Sequence, residues 1–200
     1  MNLAKWTCLF ITTVAWGIGA AMVIGLFVLL TDPGSAPFEL GMKGFVYNVA
    51  GTAVVGALLG TFSHMGFFAY LTLNYFAQGI IRSRLMWSYV QIFVVIVVSV
   101  YSVMLRVREG ESFVPYMVLP SIVIAVAAIA TYAKVKQTNV HSTVPSLFFL
   151  IAVTLLEAVP ALRQYNPYGS ALMVGPLLAC NVWQLMLLHR LLGKSAPSES

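Results

Sequence analysis

Chemistry in an apolar chain must begin with the few side chains that can bond or ionise, and here the first is Glu157, in the phrase TLLEAVPALR. It is the one acid placed inside an apolar run, where an ionisable group costs several kilocalories per mole unless it is neutral, paired or wet. Asn181 and Gln184 lie in a second apolar run and Asn48 in a third. These four form a candidate intramembrane polar site, in which the amides could hydrogen-bond the carboxyl, act as interhelical glue, or line a path for a ligand or proton. Pro160, one turn beyond Glu157, loosens the backbone there. His64, at the start of an aromatic segment, could titrate as a sensor or simply be tolerated at a membrane face.

Other chemistries find no support. His64, His141 and His189 have no HExxH company, and Cys8 and Cys180 lie in apolar runs without a neighbouring ligand, so both read as ordinary buried small residues. There is no phosphate-cradling glycine loop and no pair of acids suited to general acid–base work. Neither an enzyme, a metal nor a cofactor is expected.

The elements that must position these residues follow from composition. The chain is 60% hydrophobic and only 8% charged, too few charges to cover a water-soluble surface. It is expected to be all-α, a polytopic membrane bundle whose first partner is the lipid bilayer. Residues 1–194 form one domain, and residues 195–200 a disordered cytoplasmic tail. The net charge of +5 does not point to nucleic acid, because the basic residues are scattered in short loops.

Six spans are expected, at about Trp6–Leu30, Phe45–Phe62, Met86–Leu105, Phe113–Ala133, Val144–Leu162 and Ala171–Leu192. Gly17, Ala21 and Gly25 recur every four residues in the first, and Gly56 and Gly60 do so in the second, giving faces that admit close helix approach. Lys5, Arg82, Arg84, Lys134, Lys136, Arg190 and Lys194 then fall on one side. Only Lys43, Arg106, Arg108 and Arg163 fall on the other. The asymmetry places both termini in the cytoplasm of a plasma-membrane protein.

The stretch from Phe62 to Trp87 fits this scheme least well. Its aromatic rings alternate with His64, Asn74 and Gln78, which is headgroup-level chemistry. It is expected to leave the second span as an interfacial or re-entrant segment, with a short extra span as the alternative. Phe67, Tyr70 and Asn74 share one helical face at spacings of three and four. With Arg82 and Arg84 they form a candidate partner-docking surface, or else only an anchor.

The strings SHMGFFAYLTLNYF, KQTN at 136–139, SLFFLIAVTLLEAVPALR at 146–163 and LLACNVWQLM at 177–186 together resemble the KinB-signalling pathway activation (KbaA) family of spore-forming Bacillota. That resemblance implies an integral-membrane regulator needed for the KinB sensor histidine kinase to feed the sporulation phosphorelay, with the membrane-embedded kinase as its partner. It implies no residue with a defined chemical role. A small transporter or ligand-binding membrane protein using the site around Glu157 is the competing reading, and homo-oligomerisation stays open.

Overall fold

A computed structural model describes residues 3–31, 41–107, 112–163 and 166–193. Most of the connection between the first two expected spans, residues 32–40, falls outside these residues. Arg108–Glu111 and the tail at 195–200 lie outside them altogether. The described residues are all-helical, with no strand. Helices α1 (Leu3–Thr31), α2 (Gly41–Ile80), α3 (Arg84–Met104) and α4 (Val114–Gln137) come first. A composite fifth span follows, opened by a 3-10 turn at Val140–Ser142 and continuing as α5 (Thr143–Leu147), a π-segment (Phe148–Val153), α6 (Thr154–Glu157) and α7 (Val159–Leu162). Helix α8 (Pro167–Gly193) closes the chain. Six segments among the described residues are long and apolar enough to cross a membrane.

Small side chains set the first packing layer. Helix α1 lies along α2 and α8, with Gly17 and Ala21 buried against Gly56 and Gly60. A Cβ on Gly56 would stand 2.6 Å from the Gly17 carbonyl oxygen and 2.7 Å from the Ala21 Cβ. Backbone thus meets backbone, the contact that dispersion favours in lipid, where burying apolar side chains gives no advantage over leaving them in acyl chains. Gly25 has the same role further along, facing Thr52. Cys180 is buried against α1, its thiol on the Thr13 carbonyl, but Cys8 is exposed. The expectation of two buried cysteines is corrected for Cys8, which sits on the outer side of α1.

Helix α2 departs from expectation. It runs without a break from Gly41 to Ile80, about 60 Å at the usual rise and twice the hydrocarbon thickness. The chain therefore does not turn back or leave the helix at Phe62. The aromatic stretch is the second half of α2, and its inner face is core. Phe67 is 0% and Tyr70 8% exposed. Phe67 meets Phe149 at 5.4 Å between ring centroids and Tyr70 meets it at 5.1 Å, while the Tyr70 hydroxyl donates to the Pro145 carbonyl at 3.2 Å. Ring–ring contact with a satisfied hydroxyl suits burial better than a headgroup site.

The element these rings pack on is the centre of the bundle. Five consecutive residues of the π-segment, Phe148 to Ala152, are buried, which on any helix means cover from every side. That cover comes from α2, α3, α4 and α8. The fifth span is also irregular. Pro160 has no N–H and its ring excludes an α-helical carbonyl one turn back, and the helix breaks at Ala158 between Glu157 and Val159. Such interruptions survive in a membrane where neighbouring helices bury the freed backbone groups.

Candidate functional site

Three helices each bring a pair of residues spaced by three, and the pairs converge: Ser63 and Gly66 from α2, Thr154 and Glu157 from α6, Asn181 and Gln184 from α8. Residues three apart share a helical face, so each helix turns one stripe of polar or small residues inward. Ser63, Thr154, Asn181 and Gln184 are all 0% exposed.

Their hydrogen bonds run in one direction. The Gln184 amide donates to Ser63 Oγ at 2.6 Å, and the Ser63 hydroxyl donates to Asn181 Oδ1 at 2.8 Å. Asn181 Nδ2 in turn donates to Glu157 Oε2 at 3.0 Å and to Thr154 Oγ1 at 2.9 Å. Each bond polarises the next, and the series ends on the carboxyl. An interhelical bond in a membrane contributes on average about 0.6 kcal/mol. The value of the set lies in fixing the register of α2, the fifth span and α8 as much as in adding stability.

The carboxyl has been given space. A Cβ on Gly66 would collide with Glu157 Oε1 and lie 3.2 Å from Val153 Cγ1. Only glycine lets α2 pass this close to the acid. Among the described residues Glu157 Oε1, Gln184 Oε1 and His64 Nδ1 are buried without a hydrogen-bond partner, so acceptor capacity remains at the rim of the cluster. His64 itself lies among rings, 5.2 Å from Phe10 and 4.8 Å from Phe68. It is a buried side chain within α2.

The structure therefore joins Glu157, Asn181 and Gln184, as their types suggested, and leaves out Asn48. Asn48 is exposed, fifteen residues from Ser63 along α2, about 22 Å by the helical rise. It lines a separate apolar pocket with Phe45 and Thr52. Its amide stands on the outer surface of α2, away from the buried cluster. Ser63, Gly66 and Thr154 are the members that residue type alone does not single out. The spacing they share with Glu157, Asn181 and Gln184 is the signal that could have found them.

The docking candidates separate in the same way. Phe67 and Tyr70 face inward, so they cannot be a docking surface. Asn74 is half-buried, its Oδ1 accepting from Trp87 Nε1 at 2.9 Å, which clamps the end of α2 to α3. Arg82 and Arg84 remain exposed at the α2–α3 corner. What α2 leaves outward is a different set of rings, with Phe68 40%, Tyr75 78% and Phe76 61% exposed. Among the described residues no cluster of His, Cys, Asp and Glu is placed to hold a metal ion.

A family model described as KinB-signalling pathway activation in sporulation matches residues 17–191. A KinB-signaling pathway activation protein of Bacillus subtilis (strain 168) is 36% identical over 144 residues, covering 70% of this chain and 73% of the relative. No solved structure matches.

Proposed function

This chain belongs to the KbaA family of KinB-signalling pathway activation proteins, and from that premise we propose that it is an integral plasma-membrane regulator that activates a membrane-embedded sensor histidine kinase by contact. It acts without catalysing a reaction of its own. The family name supplies the pathway. The observation that carries the mode of action is the two-sided second half of α2, whose inner face is fixed on the π-segment while Tyr75 and Phe76 stand outward, with the exposed Arg82 following the end of the helix. Aromatic side chains with an arginine nearby give large contact area at low entropic cost and recur at the centres of binding surfaces. The kinase's membrane portion docks on this outer face.

Both termini are cytoplasmic in this reading, supported by the basic residues at Lys5, Arg82, Arg84, Lys134 and Lys136. In a protein lacking Cys8 and Cys180, an impermeant maleimide added outside should label a cysteine at Ser112 and leave ones at Ser83 and Thr138 untouched. Labelling at Ser83 would put the proposed docking face on the wrong side of the membrane.

The docking face is tested by replacing Tyr75 and Phe76 together with alanine. Sporulation that depends on the kinase should fall at least about tenfold, the effect of losing contacts worth about 1.4 kcal/mol, with the protein's membrane level unchanged. Alanines at Phe93 and Val97, equally outward on α3, should leave sporulation as it was. Equal loss from both pairs would mean that any change on the outer surface suffices, and the assignment to α2 would fail.

A further inference from the structure

At the α2–α3 corner the helices leave a pocket of about 460 Å³ between the end of α2, the first two turns of α3 and the start of the fifth span. Its mouth carries the exposed Arg84 and His141. Among the described residues no acidic side chain lines it. One wall is Trp87, held by its bond to Asn74 Oδ1, and that bond leaves the Asn74 NH2 group to donate into the pocket. The wall deeper in is Gln91, which is 0% exposed and, among the described residues, has no hydrogen-bond partner for either its amide nitrogen or its amide oxygen.

A buried primary amide with both ends unmatched is unfavourable unless something meets it. Leucine or methionine would fill the same volume between helices without that cost. Gln91 lies seven residues beyond Arg84 on the same helix, about 10 Å deeper. The pocket thus offers a guanidinium and an imidazole at its mouth, an aromatic wall with the Asn74 amide beside it, and a neutral donor–acceptor pair at its inner end. The mouth suits a group with several anionic oxygens, since guanidinium and N–H donors match a phosphate better than a neutral polar group. The inner end suits an uncharged hydroxyl, which can both give and take a hydrogen bond.

We propose that this pocket binds a phosphate ester bearing a free hydroxyl, with the phosphate at Arg84 and the hydroxyl on Gln91. Two sources share that chemistry: the glycerol headgroup of phosphatidylglycerol, and a soluble ester such as glycerol 3-phosphate. The full-length protein in phosphatidylcholine nanodiscs is the reference for thermal unfolding. Phosphatidylglycerol is then mixed into the disc, or glycerol 3-phosphate added to the buffer. A ligand that binds the folded state raises the midpoint in proportion to its occupancy. One of the two additions should raise the wild-type midpoint, and which one does so identifies the source.

Gln91→Leu should unfold at or above the wild-type midpoint in plain phosphatidylcholine yet lose most of the ligand-dependent rise. Arg84→Gln, at an exposed position that does not threaten folding, should raise the ligand's half-saturating concentration by about tenfold. If neither addition raises the wild-type midpoint, the pocket is not such a site. If a rise appears and both variants keep it in full, the effect comes from the bilayer or buffer at large, and the proposal is equally overturned.

Discussion

Gly66→Ala should strip most of the protein from the membrane or lower its unfolding free energy by about 1–3 kcal/mol, the usual cost of forcing an extra carbon into a packed interior. The added Cβ would occupy the place of Glu157 Oε1. The carboxyl would have to swing away, taking Oε2 off Asn181 Nδ2. Glu157→Leu should be damaging for a related reason, since it removes the acceptor at the end of the hydrogen-bond series and leaves a buried N–H of Asn181 with nothing to meet it, at about 1–3 kcal/mol. Glu157→Gln keeps an oxygen for Asn181 and should retain close to wild-type level. The decisive comparison is the double variant. Gly66→Ala with Glu157→Ala removes both the intruder and the group it strikes, so the pair should be less destabilised than the sum of the singles by at least about 1 kcal/mol. Strict additivity, read by denaturant unfolding in micelles, would mean that Gly66 and Glu157 do not meet. Normal level with equal signalling defects in Glu157→Gln and Glu157→Leu would mean that the charge itself is needed, and the cluster would be more than a register lock.

How much of this was legible beforehand depends on the kind of side chain. Glu157, Asn181 and Gln184 were findable because an acid or amide in an apolar run must seek a partner, and partners are few. Ser63 and Thr154 were not, because a hydroxyl in a helix can bond the carbonyl one turn back. Thr12, Thr13, Thr61 and Ser99 all do so here. Asn48 obeyed the type rule but lies on the outer surface of α2, far from the other three. The small-residue faces of α1 and α2 were legible, since only glycine and alanine permit the backbone approach seen at Gly17 and Gly56.

The inside and outside of the aromatic segment were harder to tell apart. In water an apolar stripe marks the core, but in lipid the outer face is apolar too. Phe67 points into the bundle and Phe68 out of it, and both are phenylalanine. The continuity of α2 was hidden for the same reason. Polar residues read as headgroup-facing turn out to bond inward, as Asn74 does to Trp87. In the fifth span Pro160 announced the break at Ala158, whereas the π-segment has no signature in the residues 148–153 themselves.

The second large effect is one of position. If α2 presents Tyr75 and Phe76 to the kinase while Phe67 and Tyr70 hold the core, a photo-crosslinking amino acid should capture the partner from one face of this helix and not from the other. The measurement is made in living cells with the crosslinker placed singly at Phe76, at Phe67 and at Phe93 on α3, and the captured species identified by mass. A docking face on α2 requires that Phe76 yield an adduct with the sensor kinase, that Phe67 yield only crosslinks within this chain to the π-segment, and that Phe93 yield lipid. Capture of the kinase from Phe93 but not from Phe76, with the protein at normal level in the membrane, would contradict it.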